Sequence, residues 1–289
     1  MSSAGGCTLR INEAYQYLGS KERQVAEYIR NNAEQVPHMT LEEFSKNCGC
    51  SISTVLRFCK ALQFSGYKEL IRSIFCEINA QPEPFEVEDI QPGASPEAAM
   101  LNLYQCDVTA IKKTMEINDS KELGRAVEAL SKARRIDFYG AGCSGLAGMD
   151  ACNKFSRINK VAIAHTDLHN QLLTAMTLSH GDVAIVISFS GETTDIINVA
   201  NEIRATGATL ISLTKFGSPT LAAMADIRLY TASTETFLRS GAMSSRIAQL
   251  FVLDTLYSAV CSRDYEQVKA HLDKTRRATI RMHLTEKKD

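Results

Sequence analysis

The sequence Asp182-Val-Ala-Ile-Val-Ile-Ser-Phe-Ser-Gly-Glu-Thr-Thr-Asp195 decides the fold of this chain. Its first half, from Val183 to Ile187, is a continuous apolar run rich in β-branched residues, which is typical of a strand buried on both faces of a parallel sheet. The residues from Ile196 to Ala205 then follow a helical pattern. A loop rich in hydroxyl groups is therefore predicted where a strand turns into a helix.

This loop has the composition of an anion-binding site. The first amide groups of a helix lack intrahelical partners, the helix dipole favours negative charge there, and glycine lets the backbone approach a ligand. Ser188, Ser190, Thr193 and Thr194 add hydroxyl groups, and the loop contains neither Lys nor Arg. One hydroxyl would suffice for the alternative, an ordinary helix N-cap. We therefore predict a phosphate site formed by hydroxyls and backbone amides.

Length and composition restrict the class of protein. A chain of 289 residues favours two domains, and a net charge of −1 excludes a global field that attracts nucleic acid or membrane. The apolar runs are shorter than the roughly 20 residues that span a bilayer. Nine cysteines without paired spacing favour reduced thiols, and Cys48-Gly-Cys50 is too tight for a usual zinc pair. We expect a cytoplasmic protein without a metal, a cofactor or membrane association.

The N-terminal third predicts a helix-turn-helix. Thr40 and Glu43 form a capping box at the start of a short helix, and Gly49 can supply a left-handed turn. Ser51 can cap a second helix, whose apolar stripe recurs at helical spacing: Val55, Phe58, Cys59 and Leu62. A short helix, a tight turn and a second helix with small polar residues at its start is the layout of this motif.

The second helix of such a motif enters the major groove of double-stranded DNA with its N-terminal turn. Base edges or phosphates would be contacted by Ser51, Ser53 and Thr54, with Arg57 and Lys60 one and two turns further on. Five basic residues and a single acidic residue lie between positions 46 and 72, a local positive excess in a nearly neutral chain. A helical bundle with a solvated basic face remains the alternative.

Residues 81–96 contain four of the six prolines and are predicted to be a linker. The helix-turn-helix domain would then span residues 1–80 and a second domain residues 97–289. In the second domain strands and helices alternate, with strands predicted at residues 135–139, 161–165, 183–188, 209–214 and 227–230. The fold class is α/β, an all-α domain followed by a Rossmann-like parallel sheet in an α/β/α sandwich.

A second glycine-rich loop follows the first predicted strand. Gly140-x-Gly142-x-x-Gly145 matches the dinucleotide fingerprint, and Asp167 lies at about the distance required to hold a ribose. The Ser-x-Ser-Gly-x-Thr order at 188–193 instead suits a compact charged group such as a sugar phosphate. Both loops follow the carboxyl ends of predicted strands, so they should face one cleft.

These motifs together resemble a known family. Ser188-Phe-Ser-Gly-Glu-Thr193, with Gly140-x-Gly142-x-Ser144 before it, resembles a sugar isomerase (SIS) domain. With the helix-turn-helix in front, nearly the whole chain resembles the RpiR family of bacterial transcriptional regulators. The resemblance implies a homodimer or homotetramer that binds operator DNA, controls sugar or amino-sugar metabolism, and responds to a phosphorylated sugar bound in the SIS domain.

The resemblance also implies which residues contact the effector. By motif position, Ser144 and Ser188 would be the principal contacts, and Ser190 and Thr193 would join them at the phosphate. The remaining residues expected around the effector are Gly140, Gly142, Cys143, Phe189, Gly191 and Glu192.

SIS domains also occur in phosphosugar aldose–ketose isomerases, which need a base to move a proton between adjacent carbons. Glu192 can serve a helix N-terminus instead, and Glu235 is a second candidate. His165 and His169 are interpreted as structural. The last long helix, where isomerase-type SIS domains tend to place acid–base groups, offers only Asp254 and Arg246. We therefore expect a sensor without catalytic residues and keep the isomerase as the alternative.

Overall fold

The computed structural model describes residues 7–78, 90, 93–217, 220–233 and 242–285. The chain forms two compact units. The first comprises Met1–Asp119, Lys215–Pro219 and Tyr230–Ser245, and the second comprises Ser120–Thr214, Thr220–Leu229 and Arg246–Asp289. Much of the predicted linker, at 81–89 and 91–92, lies outside the described residues. The boundaries at 80, 96 and 97 therefore stay a prediction.

The first unit is built from helices. They are α1 Cys7–Ala14, α2 Ser20–Asn31, α3 Leu41–Asn47, α4 Ile52–Ala61, α5 Tyr67–Ile78 and α6 Pro96–Ile117, with 3₁₀ turns at Tyr15–Tyr17 and Val36–His38. Their apolar faces meet in a core that includes fully buried Val25, Phe44, Phe58 and Leu70. The rings of Tyr28 and Phe44 form a T-shaped pair with a centroid distance of 5.6 Å, in the geometry that aromatic quadrupoles favour.

A buried arginine attaches α1 to this core. Arg10 is 3% exposed, its guanidinium lies 4.5 Å from the centroid of the Phe64 ring, and it donates a hydrogen bond to Leu62 O at 2.9 Å. A buried charge is tolerated when hydrogen bonds and an aromatic face replace the water it loses. Arg10 therefore fixes α1 against the end of α4.

The second unit contains the α/β fold. Its elements are α7 Ser120–Lys132, β1 Ile136–Gly140, α8 Gly142–Arg157, β2 Ala162–Ala164, α9 Leu168–Ala175, β3 Val183–Ile187, α10 Thr194–Thr206, β4 Thr209–Lys215, α11 Thr220–Met224, β5 Ile227–Thr231, α12 Met243–Arg263 and α13 Tyr265–Thr285. The last residues of β4 and β5 and the first residues of α12 are counted with the first unit. The five strands form one sheet in the order β2-β1-β3-β4-β5. The pairs β1–β2, β1–β3 and β3–β4 are parallel, which confirms the predicted fold class.

Strand β3 has a core on each face. Val183, Ile185 and Ile187 belong to a cluster that also contains Phe155 of α8. The alternating residues Ala184 and Val186 belong to a second cluster, which α10 supplies with Ile196, Val199, Ala200 and Ile203. All five residues of β3 are buried. The continuous apolar run in the sequence is thus explained by helices on both sides of the sheet.

Within the described ranges, the helices do not combine the length and the apolar character that crossing a membrane requires.

Candidate functional site

The loop after β1 is shaped by close contact between a strand and a helix. A Cβ atom on Gly145 would lie 2.7 Å from Gly140 O, and one on Gly140 would lie 2.9 Å from the Ser144 carbonyl carbon and 3.0 Å from Ile187 O. Distances below 3.0 Å are not found for real Cβ atoms, so both positions require glycine. Gly142 has a φ of +55°, which glycine adopts without strain. The two outer glycines bring the first turn of α8 onto the end of β1.

A glutamine that the sequence analysis did not single out holds this strand end. Gln171 of α9 is fully buried. Its Nε2 donates to Gly140 O and His165 O, both at 2.8 Å, and its Oε1 accepts from Gly140 N at 3.1 Å. The peptide groups at the end of β1 are thus satisfied by a side chain. This fixes the position where α8 begins.

The loop after β3 is ordered by its own hydroxyl groups. Ser188 is 4% exposed, its amide donates to Leu213 O at 3.1 Å, and its Oγ accepts from Gly191 N at 3.2 Å and lies 3.4 Å from Thr193 Oγ1. Gly191 has a φ of +69°, and Ser190 Oγ accepts from Glu192 N at 3.3 Å. The loop is a tight turn with hydroxyl groups directed along it.

Glu192 has a structural partner. Its carboxylate accepts from Thr220 Oγ1 at 2.6 Å and from Thr220 N at 3.2 Å, while Gly191 O accepts from Leu221 N at 3.2 Å. A carboxylate at the first residues of a helix is stabilised by unpaired amides and by the dipole. Glu192 therefore ties the loop after β3 to the start of α11.

The two loops lie at a topological switch point. Strand order reverses between β1 and β3, and in such sheets ligands bind in the crevice outside the carboxyl ends of those strands. Gly140 pairs with Ile187, so both strands end side by side. The N-cap of α8 is Ala141, which has no polar side chain, and the N-cap of α10, Thr193, makes no side-chain capping bond. The first amides of both helices are therefore suited to an anion.

A buried side-chain pair completes this crevice. Ser144, in the first turn of α8, is 6% exposed, and its Oγ accepts a hydrogen bond from Gln249 Nε2 of α12 at 3.0 Å. Because the oxygen accepts from Gln249, the hydroxyl proton of Ser144 points elsewhere and can donate to a ligand. Cys143, Phe189 and Ser190 are partly exposed beside these groups, whereas Ser144, Ser188 and Gly191 are buried.

The helix-turn-helix geometry forms within the first unit. Thr40 caps α3, and its amide donates to Glu43 Oε2 at 2.8 Å, the predicted capping box. Gly49 has a φ of +65° in the turn. Ser51 caps α4 by accepting from Thr54 N at 3.2 Å. Residues 40–62 thus adopt the short helix, glycine turn and second helix that the sequence predicts.

The predicted DNA contacts differ in exposure. Ser51, Ser53, Arg57 and Lys60 are exposed on α4, whereas Thr54 is only 9% exposed and its Oγ1 lies 2.9 Å from Ser51 Oγ. The hydroxyl of Thr54 therefore contacts Ser51. Arg57 Nε donates to Glu22 Oε1 of α2 at 3.0 Å, so the guanidinium is oriented by a carboxylate.

Comparison with known proteins identifies the family. A model of the SIS domain matches residues 129–259, and a model of the helix-turn-helix domain of the rpiR family matches residues 5–79. An uncharacterised HTH-type transcriptional regulator of Caldanaerobacter subterraneus subsp. tengcongensis is 37% identical over 265 residues, 92% of this chain and 94% of that protein. The chain belongs to the RpiR family of HTH-type transcriptional regulators.

Two further relatives extend this comparison. The HTH-type transcriptional regulator HexR of Pseudomonas aeruginosa is 31% identical to this RpiR-family regulator over 274 residues, 94% of each chain. The structure of Vibrio vulnificus NanR complexed with ManNAc-6P superposes with a TM-score of 0.61 at 26% identity, and the match covers 96% of this chain and 99% of that chain.

The residues behind the dinucleotide alternative have other roles in this RpiR-family regulator. Asp167 is the N-cap of α9, and its carboxylate accepts from Asn170 N at 2.9 Å. Gly140 and Gly145 are required for helix–strand contact, as shown above. The glycine spacing therefore has a packing cause that does not depend on a dinucleotide.

The carboxylates considered for proton transfer also have partners. Asp254 on α12 forms an ion pair with Lys154 of α8 and is half exposed. Glu235 lies outside the described residues.

Among the residues that the structure describes, no three His, Cys, Asp or Glu side chains come together as a metal site would require.

Proposed function

We propose that this RpiR-family regulator binds double-stranded operator DNA through α4 and a phosphorylated sugar or amino sugar at the β1–β3 switch point. It acts in the cytoplasm. It is a homodimer or a homotetramer, because an operator with two half-sites is bound by two reading helices. The proposal of an effector site is supported chiefly by the position of two buried serines. Ser144 lies in the first turn of α8, which follows β1, and Ser188 directly follows β3. Strands β1 and β3 are adjacent, and the N-termini of α8 and α10 lack a side-chain cap.

The chemistry of this crevice favours a phosphate. Backbone amides at a helix N-terminus and neutral hydroxyl donors complement phosphate oxygens, and the dipoles of α8 and α10 favour the negative charge. The other residues that we propose to form the effector site are Gly140, Gly142, Cys143, Phe189, Ser190, Gly191, Glu192 and Thr193. That Vibrio vulnificus NanR, a full-length relative, is complexed with ManNAc-6P supports a phosphorylated sugar as the ligand.

A sensor accounts better than an isomerase for the carboxylates of the second unit. Glu192 is bound to Thr220, Asp167 caps α9, and Asp254 is paired with Lys154. A general base must instead reach the substrate carbon with a free carboxylate or imidazole. Relatives that align over almost the whole chain are named transcriptional regulators, which supports the same conclusion.

Control of DNA binding requires an energetic difference between two arrangements. A sugar phosphate can alter operator affinity only if it binds one arrangement of the protein more tightly than another. A coupling of about 1–3 kcal/mol corresponds to a 5- to 150-fold change in operator affinity.

The experiment is a thermal-shift and calorimetric screen of the full-length protein. The probes are hexose 6-phosphates, N-acetylhexosamine 6-phosphates, the same sugars without phosphate, inorganic phosphate and NAD. We expect stabilisation by one class of sugar phosphate and none by its unphosphorylated form. Stabilisation by NAD alone would contradict the phosphosugar site. Interconversion of aldose and ketose phosphates in the same samples would replace the sensor with the isomerase.

A further inference from the structure

The exposed face of α4 has an apolar row. Ile52 is 40% exposed and Leu56 is 37% exposed, and the two lie one helical turn apart. Val55, Phe58 and Cys59 of α4 pack into the module instead, and each is fully buried. The apolar row is therefore additional to the side chains that α4 needs for its fold.

Single exposed hydrophobic residues are normal on protein surfaces. Ile52 is informative because of its place in the motif. It is the first residue of α4, directly after the cap Ser51. In a helix-turn-helix the N-terminal residues of the second helix contact base edges. A branched apolar side chain thus occupies a position where base contacts are made.

Several polar side chains around Ile52 already have hydrogen-bond partners within the protein. Ser51 Oγ lies 2.8 Å from Ser53 Oγ and 2.9 Å from Thr54 Oγ1. Arg57 is held by Glu22 at 3.0 Å. Since these groups have partners within the protein, the methyl groups of Ile52 and Leu56 form the part of this face that gains most from an apolar contact.

We infer that Ile52, with Leu56 one turn later, reads the 5-methyl group of thymine in each operator half-site. That methyl is the apolar group that base pairs present in the major groove, and it distinguishes thymine from cytosine and from uracil. This inference rests on the proposed entry of α4 into the major groove. It adds that sequence preference depends on burial of methyl groups as well as on hydrogen bonds.

The experiment begins with selection of duplexes from a random library by the wild-type full-length protein. Each thymine of the selected half-site is then replaced by deoxyuridine, which removes the methyl and leaves base pairing intact. We expect one or two positions at which the substitution weakens binding about fourfold each, the effect of exposing one buried methyl. Thymines outside the half-site serve as the control positions.

Protein variants assign the effect to the side chain. Ile52→Ala should bind thymine and deoxyuridine equally at one of these positions, whereas Ile52→Val should keep most of the difference. Both variants should fold, because residue 52 is exposed and alanine favours helix. Val161→Ala, which truncates another exposed apolar side chain (59% exposed), should keep the wild-type profile.

Two results would overturn the inference. If Ile52→Ala and Leu56→Ala retain the wild-type sensitivity to deoxyuridine, or if no thymine in the half-site is sensitive, methyl readout by α4 is wrong while DNA binding stands. If selection enriches no sequence, the proposed DNA-binding function itself fails, and the inference fails with it.

Discussion

Gln249 donates its side-chain amide to the hydroxyl oxygen of Ser144 at 3.0 Å, and both side chains are buried. The pair joins the first turn of α8 to α12 within the second unit. Because the serine oxygen is an acceptor in this contact, its proton is directed to another acceptor. Gln249 therefore determines the orientation in which Ser144 meets a ligand.

We expect Gln249→Glu to lower affinity for the phosphosugar at least tenfold. A carboxylate at this position would accept a hydrogen bond from the Ser144 hydroxyl and would repel a phosphate. The hydrogen bond that Ser144 would otherwise donate to the charged phosphate contributes about 1.5–3 kcal/mol. Gln249→Leu, which removes the donor without adding charge, should lose less. Calorimetric titration measures both, with Gln267→Glu, at an exposed position of α13, as the control. Wild-type affinity in Gln249→Glu would show that Ser144 does not contact the effector.

Two glycine substitutions should shift stability in opposite directions. Gly145→Ala places a Cβ 2.7 Å from Gly140 O and should destabilise the protein by about 1–3 kcal/mol, because backbone atoms must move. Gly124→Ala, in α7 with no atom within 4 Å of the added Cβ, should stabilise it by about 0.5–1 kcal/mol. Urea unfolding measures both, and equal effects of the two variants would refute the contact between β1 and α8.

The buried carboxylate of Asp182 should make stability depend on acid pH. Burial raises its pKa, but Arg134 at 2.6 Å and the Ser179 amide at 2.9 Å outweigh that effect and lower the pKa below the ordinary value of 3.8. Because the folded-state pKa is below the unfolded one, this stabilisation is present above about pH 4 and is lost as pH falls through the folded pKa.

Asp182→Asn should therefore cost about 2 kcal/mol at pH 7 and less at pH 3. Urea unfolding at both pH values provides the measurement, and Asp273→Asn, at an exposed position, provides the control. A cost that is independent of pH would mean that the charge of Asp182 does not contribute.

Arg57 and Glu22 should act in opposite directions on DNA. Arg57→Ala removes a cation from the exposed face of α4 and should weaken operator binding and reduce the salt slope by about 1. Glu22→Gln removes the carboxylate that holds Arg57 and should tighten binding. Fluorescence anisotropy at several salt concentrations measures both effects. If Arg57→Ala leaves both the operator affinity and its salt dependence unchanged, DNA does not contact this face of α4. As a control, the phosphosugar affinity should remain constant in both variants.

The local features of this chain were predictable from its sequence. The capping box at Thr40, the cap at Ser51 and the buried strand Val183–Ile187 depend on neighbours within a few residues, and the structure confirms each. The family resemblance was confirmed over nearly the whole chain. Thr54 was predicted to contact DNA, yet its burial depends on packing of the whole module.

The partners that shape the site were not predictable in this way. Gln171 binds Gly140 across 31 positions, Gln249 binds Ser144 across 105, and Thr220 binds Glu192 across 28. A single sequence gives no signal for hydrogen bonds at such separations, because glutamine and threonine have no distinctive spacing there. The attachment of α1 to the core likewise depends on a distant contact, because Arg10 reaches Leu62 across 52 positions.

The central claim is most directly tested by titrating the operator complex of Ser188→Ala and Ser144→Ala with the phosphosugar that binds the wild type. We predict wild-type operator affinity without the sugar and loss of its effect on that affinity in both variants, while Ser262→Ala responds as the wild type does. If the operator affinity of Ser188→Ala and Ser144→Ala changes at the same phosphosugar concentrations as that of the wild type, the crevice between β1 and β3 is not the effector site.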